Sequence, residues 1–147
     1  MTNRLILFTA NYPFAYNGGE TKFVAPEMPW LCQRFDEVVV VPLHDTGEQL
    51  PLPPGCLLDR GLARRWHKAA AWYLLKALVW PGFLSEAWRG VTRGGWVGGA
   101  RVWRWAGVAA ATRAWLAQQE RSVPTCVYSY WRGGQTLAAV RWSRLHP

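Results

Sequence analysis

Two short apolar runs constrain this chain more than any other feature: Leu5-Ile6-Leu7-Phe8-Thr9-Ala10 and Val38-Val39-Val40-Val41. Each has the length of a strand. Neither alternates apolar with polar residues, so each must be buried on both faces, as strands inside a parallel sheet are. The valine run is β-branched throughout and bounded by Asp36-Glu37 and Pro42, which makes it the clearest strand in the chain. Between the two runs lie a turn-rich segment, Asn11 to Gly19, and then Glu20 to Phe35, with Phe23, Met28, Leu31 and Phe35 at roughly helical spacing. This predicts a helix with Thr21 as its N-cap and a kink at Pro26 or Pro29. Strand, helix and strand form a β-α-β unit, whose crossover is expected to be right-handed.

The remaining pattern extends the unit. A proline- and glycine-rich loop from His44 to Gly55 precedes a short third strand at Cys56-Leu57-Leu58. From Leu62 to Val79 the spacing is helical. Trp66, Ala70, Tyr73, Leu74 and Ala77 fall on one side, and Arg64, Arg65, Lys68, Trp72 and Lys76 on the other. Pro81-Gly82 should end that helix, a short one should run from Phe83 to Arg89, and Gly94-Gly95 with Gly98-Gly99 reads as a loop before a long helix from about Ala100 to Glu120. Val123 to Tyr130 returns to strand character, and Gly133-Gly134 opens a last helix through Leu137, Val140 and Leu145. The expected class is α/β: a Rossmann-like parallel sheet flanked by helices, with a helical insert over about residues 60–121. With 147 residues, 50% of them hydrophobic, one globular unit with an adequate core is expected.

Charge is unevenly spread. Residues 1–59 carry three basic against seven acidic side chains, residues 60–121 eleven against two, and residues 122–147 three arginines and no acid. The basic insert implies an anionic partner, although arginine-rich codon usage would produce the same excess. Cys32, Cys56 and Cys126 are odd in number, widely spaced and outside any C-x-x-C pattern, which argues against a disulfide framework and against a zinc site. No metal site is expected. The N-terminus leads directly into a strand, and no export signal is expected. The greasiest stretch, Ala69 to Val79, contains Lys76 and stops at Pro81, short of the roughly 20 apolar residues that span a bilayer.

In open parallel sheets, ligands bind beyond the carboxyl ends of the strands. Two strand-to-helix loops have suitable chemistry there. In the first, Asn17, Gly18, Gly19 and Glu20 combine backbone that can approach a ligand closely with a carboxylate at a helix start. Its plain alternative is a tight turn. In the second, Tyr128 to Gln135, the aromatics Tyr128, Tyr130 and Trp131 offer faces suited to sugar rings beside Arg132, suited to an anion, with Gly133 and Gly134 at the helix start. Its plain alternative is alternate strand positions and a core tryptophan. Neither loop names a catalytic residue.

The stretches Tyr12-Pro13-Phe14, Gly18-Gly19-Glu20-Thr21, Phe35-Asp36-Glu37-Val38-Val39-Val40-Val41-Pro42 and Tyr128-Ser129-Tyr130-Trp131, taken in order, resemble the N-terminal domain of family 4 bacterial glycosyltransferases of the capsular, exopolysaccharide and O-antigen type. The resemblance covers residues 4–59 and 123–145, and the middle only in position and helical character. It implies the acceptor-side half of a GT-B fold, retaining hexosyl transfer from a nucleotide-sugar donor, and a glycan or lipid-linked sugar as acceptor. Gly18, Gly19, Glu20, Tyr130, Trp131 and Arg132 would then line the cleft. Pro26 and Pro29 depart from the uninterrupted helix of relatives, and His146 is not the histidine of their next cleft motif.

On the same resemblance, residues 1–147 correspond to a partial N-terminal domain, and the C-terminal donor-binding domain with its paired glutamates is absent. The chain alone is expected to be inactive, with no cofactor of its own, to depend on a donor-binding domain or partner chain, and to expose a sheet edge prone to aggregation. The expected location is cytoplasmic and peripheral on the inner face of the plasma membrane, with Arg64, Arg65, Lys68, Trp72 and Lys76 facing anionic headgroups. The alternative is a non-catalytic basic protein binding nucleic acid or an anionic membrane. The nucleic-acid form ranks lower, because no helix-turn-helix, zinc-finger or RNP-like motif is present. Glu20→Ala is expected to damage turnover more than folding.

Overall fold

The computed structural model describes residues 3–15, 19–80, 82–119, 123–131 and 133–145. They form an α/β fold around a four-stranded parallel sheet, with a small antiparallel pair beside it. In chain order the elements are β1 (Arg4–Thr9), β2 (Phe14–Ala15), α1 (Thr21–Arg34), β3 (Glu37–Pro42), β4 (Glu48–Gln49), β5 (Cys56–Leu58), α2 (Gly61–Leu78), α3 (Phe83–Leu116), β6 (Thr125–Ser129) and α4 (Gly134–Leu145). The contacts divide into two compact units, residues 1–64 with 118–131, and residues 65–117 with 132–147.

In the first unit the strand order is β5-β3-β1-β6. Leu5 of β1 stands opposite Val38 of β3 and Cys126 of β6, and Val39 of β3 opposite Leu57 of β5, all in parallel register. The central position of β1 explains its unbroken apolar run: Leu5, Ile6, Leu7 and Phe8 are each at most 2% exposed. Leu5, Leu7, Val38 and Val40 share one face, which packs on Val24, Met28 and Leu31 of α1 and on Tyr12.

That stripe corrects the buried face expected for α1, and the helix start corrects its expected cap. Phe23 is 57% exposed; Val24, Met28 and Leu31, at i, i+4 and i+7, are the buried face. The helix also continues through Pro26 and Pro29. A proline inside a helix costs roughly 3 kcal/mol, whereas burying three such side chains returns roughly 1.5–3 kcal/mol each, so packing keeps the segment helical. Nor is Thr21 the cap. Glu20 holds the N-cap position with helical backbone angles and makes no side-chain capping bond, because its carboxylate is used elsewhere.

The cysteine expectation is corrected too. Cys32 of α1 and Cys56 of β5 form a disulfide, and Cys126, on the exposed face of β6, is free. An odd cysteine count disguises one bridge plus one bystander.

The second unit is helical. Its α2 segment has a non-helical residue at Ala69, and Trp66, Tyr73 and Ala77 are buried on the face the wheel selects. The predicted short and long helices are the two arms of α3, and the predicted glycine break between them stands at Gly94 and Gly95, whose backbone is non-helical. Gly95 has φ 62°, a left-handed conformation that suits glycine. Gly98 and Gly99 are helical, contrary to the predicted loop. They lie where the two arms of the bend meet: a Cβ on Gly98 would stand 2.1 Å from the Gly90 carbonyl oxygen, and one on Gly99 would stand 2.6 Å from Val91 Cγ2. Gly107 repeats the device against Leu74 and Trp66, and Gly134 at the start of α4 repeats it against the Trp105 carbonyl at 2.3 Å. The Trp103 indole N–H donates to the Leu74 carbonyl at 2.8 Å, and the Arg113 and Arg141 guanidiniums lie 5.3 and 6.0 Å from the Trp80 ring centre.

Candidate functional site

The carboxyl ends of β1 and β6 in the first unit bring the two predicted loops together in part. The N–H of Tyr130 donates to the Phe8 carbonyl at 3.1 Å, which extends the strand pairing one residue past β6 and sets Tyr130 beside the exit of β1. On the β1 side, the chain turns at Asn11, whose carbonyl accepts the Phe14 N–H at 2.7 Å, and Thr9 Oγ1 donates to the Tyr12 carbonyl at 2.7 Å.

Glu20 organises this exit. Its Oε1 accepts the Ala10 N–H at 2.8 Å, and its Oε2 accepts the N–H groups of Asn11 and Tyr12 at 2.6 and 2.9 Å. The side chain is buried, 8% exposed. Its backbone carbonyl meanwhile accepts the N–H groups of Phe23 and Val24. A carboxylate holding three backbone donors is a clamp on its own loop. The expectation for Glu20→Ala therefore shifts: its removal strands three amide donors, a cost borne by folding.

Around the clamp lies a shelf of aromatic rings. Trp131 meets Tyr130 at a ring-centre distance of 5.3 Å and Phe23 of α1 at 6.4 Å, and Tyr130 meets Tyr128 at 6.2 Å, all edge-to-face. Such edge-to-face pairs hold ring orientations. Phe23, Tyr128 and Trp131 are 57%, 42% and 47% exposed, so the shelf presents aromatic surface to solvent. Glu27, one turn beyond Phe23, lies beside Tyr130. Partial burial first, and then the neighbouring Glu27 carboxylate, push the Tyr130 hydroxyl above its ordinary value of about 10. Exposed Trp30 shares the outward face of α1 with Phe23 and Glu27. Ring faces with a carboxylate and hydroxyls at their margin can stack on the C–H face of a saccharide and bond its hydroxyls. No group here is placed as a nucleophile or general base, and the described residues contain no cluster that could hold a metal ion.

Among the predicted site residues, Gly19, Glu20, Tyr130 and Trp131 belong to this unit. Asn17, Gly18 and Arg132 lie outside the described residues. Gly133 and Gly134 belong to the helical unit, where Gly134 seats α4 against α3. Phe23 and Glu27 were not identified from the sequence as site residues; their i, i+4 spacing on the solvent face of α1 was their only signal, whereas Tyr128 stood in the run Tyr128-Ser129-Tyr130-Trp131.

The predicted membrane-facing row is divided. Lys68, Trp72 and Lys76 are exposed on α2 and belong to the second unit, with the Lys76 ammonium 5.0 Å from the Trp72 ring centre. Arg65 is half-buried and reaches the Tyr73 hydroxyl at 3.5 Å, and Arg64 belongs to the first unit.

Two cavities add detail. One, of about 640 Å³, lies on the first unit's sheet and is lined by Arg4, Glu37, Asp59, Arg60 and Arg64. Its charges are largely engaged: Arg4 pairs with Glu37, and Arg60 bonds Gln49 and lies 4.9 Å from the Phe14 ring centre. The other, of about 470 Å³, lies in the second unit among Trp80, Phe83, Val102, Trp105 and Leu137. No protein-family model, curated protein or solved structure matches this chain.

Proposed function

We propose that this chain is the acceptor-side domain of a glycosyltransferase, which holds a glycan or lipid-linked sugar while a sugar is transferred to it from a nucleotide-sugar. The observation that supports this reading is the aromatic shelf of Phe23, Tyr130 and Trp131 at the carboxyl ends of β1 and β6, with Glu27 at its margin. Parallel sheets bind ligands at this end, and exposed rings with an adjacent carboxylate suit a saccharide better than they suit an anion. In the transfer, the acceptor hydroxyl oxygen bonds to the anomeric carbon and loses its proton, and the nucleoside diphosphate leaves with the electron pair of the broken glycosidic bond. Neutralising that leaving charge falls to a donor-binding domain, in the same polypeptide or in a partner chain.

The test is transfer from a panel of UDP- and GDP-sugars to oligosaccharide acceptors, measured with the chain alone and with a donor-binding domain added, together with saturation-transfer NMR of the acceptors on the chain alone. Acceptor signals that require Trp131, with transfer only in the mixture, support the reading. Acceptor signals that persist unchanged in Trp131→Ala, or absence of any glycan signal, overturn it.

A further inference from the structure

The bent helix of the second unit is arranged inside out for water. Its arms, from Phe83 to Arg93 and from Trp96 onward, meet through Gly90, Gly98 and Gly99, close enough that a Cβ on Gly98 would overlap the Gly90 carbonyl. The bulky side chains point away from that seam: Leu84 is 76% exposed, Trp88 69%, Trp96 85% and Val97 70%, with Val79, between α2 and α3, at 83%. In water this leaves an apolar patch of the kind that marks an interaction surface. Small residues at a helix seam with large apolar residues outside is the pattern that helices adopt against lipid.

The arms do not cross a bilayer. At ~1.5 Å per residue, the arm from Phe83 to Arg93 is about 16 Å long, against roughly 30 Å of hydrocarbon, and no described helix is long and apolar enough to span one. Charge selects the surface. Arg89, Arg93, Arg101 and Arg104 are interleaved with the tryptophans, and Glu86 is the one acidic residue between positions 60 and 119; it pairs with Arg89 at 2.7 Å. Tryptophan and arginine together favour the headgroup region of a membrane, where indoles bury their rings and guanidiniums meet phosphates. Lys68, Trp72 and Lys76 repeat the same chemistry on α2.

We propose that the outer face of the α3 hairpin, led by Trp88 and Trp96, anchors this chain peripherally to an anionic bilayer surface. The inference is independent of the transferase reading.

The experiment is flotation of the full chain with vesicles of phosphatidylcholine alone and of phosphatidylcholine with phosphatidylglycerol, with circular dichroism to verify that each variant is folded. Binding to the anionic vesicles at least tenfold tighter than to the neutral ones is expected. Trp88→Ser with Trp96→Ser should weaken it by tenfold or more, and Arg93→Gln with Arg101→Gln should remove about tenfold of the anionic preference. Leu57→Ser, an exposed apolar change in the first unit, should leave binding unaltered. Failure to float, or flotation indifferent to both hairpin pairs, overturns the proposal. So does a lipid-free dimer in analytical ultracentrifugation that the tryptophan pair abolishes while vesicles are ignored, because the face is then a contact between copies.

Discussion

Gly98 approaches Gly90 so closely that any side chain on Gly98 would enter the Gly90 carbonyl, 2.1 Å from the nearest Cβ position. The obstacle is backbone, which cannot swing aside as a side chain would. Gly98→Ala should therefore force the arms of α3 apart and cost about 1–3 kcal/mol, seen as a lower urea midpoint. Gly94→Ala, with nothing within 4 Å of its Cβ, should change that midpoint little. Equal effects at the two positions would argue against a close glycine seam.

Glu20→Ala removes the acceptor shared by the N–H groups of Ala10, Asn11 and Tyr12. Stranded donors cost about 1–3 kcal/mol, so the variant should unfold at lower urea and exchange its loop amides faster. Glu20→Gln keeps one carbonyl acceptor and should fall between wild type and alanine. Hydrogen exchange at Ala10 and Asn11 checks this directly; unchanged protection in Glu20→Ala would contradict the clamp.

The Cys32–Cys56 bridge closes a loop with a sequence separation of 24, a size for which loop-closure entropy predicts a stabilisation of roughly 3 kcal/mol. Thiol titration of the unreduced, denatured chain should count one free cysteine, Cys126, and three after reduction. Reduction should lower the unfolding midpoint, and Cys32→Ser with Cys56→Ser should reproduce that loss without added reductant.

Tyr12 and Tyr130 set an alkaline limit. Burial pushes both hydroxyls above their ordinary value of about 10, reinforced at Tyr130 by Glu27. The native state thus keeps these protons when the unfolded chain has begun to lose them. The stability they contribute is complete below about pH 10 and is lost as pH rises through the higher native values. Urea midpoints measured from pH 8 to 11.5 should fall at the alkaline end, less steeply in Tyr12→Phe and in Tyr130→Phe. A fall as steep in both variants as in the wild type would assign it to other groups.

How much of this was legible in the sequence depended on how far apart the cooperating residues lie. Leu5 to Phe8 and Val38 to Val41 were legible because burial on both faces leaves an unbroken apolar run. Trp66, Tyr73 and Ala77 were legible from a period within one helix. Phe23 was misplaced because two apolar stripes one residue apart fit α1 almost equally, and only the sheet decides between them. Gly98 and Gly99 read as a loop because the same residue serves turns and close helix seams. At the site, Tyr130 and Trp131 stood out as aromatics after a strand, whereas Phe23 and Glu27 join them only through the β-α-β crossover, and the target of the Glu20 carboxylate depends on a turn that spacing does not reveal.

The sheet order carries a kinetic consequence. β1, β3 and β5 come from the first 58 residues, but β6, the other neighbour of β1, begins only at Thr125, after the whole 65–117 segment of the helical unit. During synthesis, β1 must therefore wait with one edge unpaired while that segment emerges, and closing the sheet requires a contact of long sequence separation, the slow class of folding event. Nascent chains halted before residue 125 should be the species that chaperones hold and proteases find.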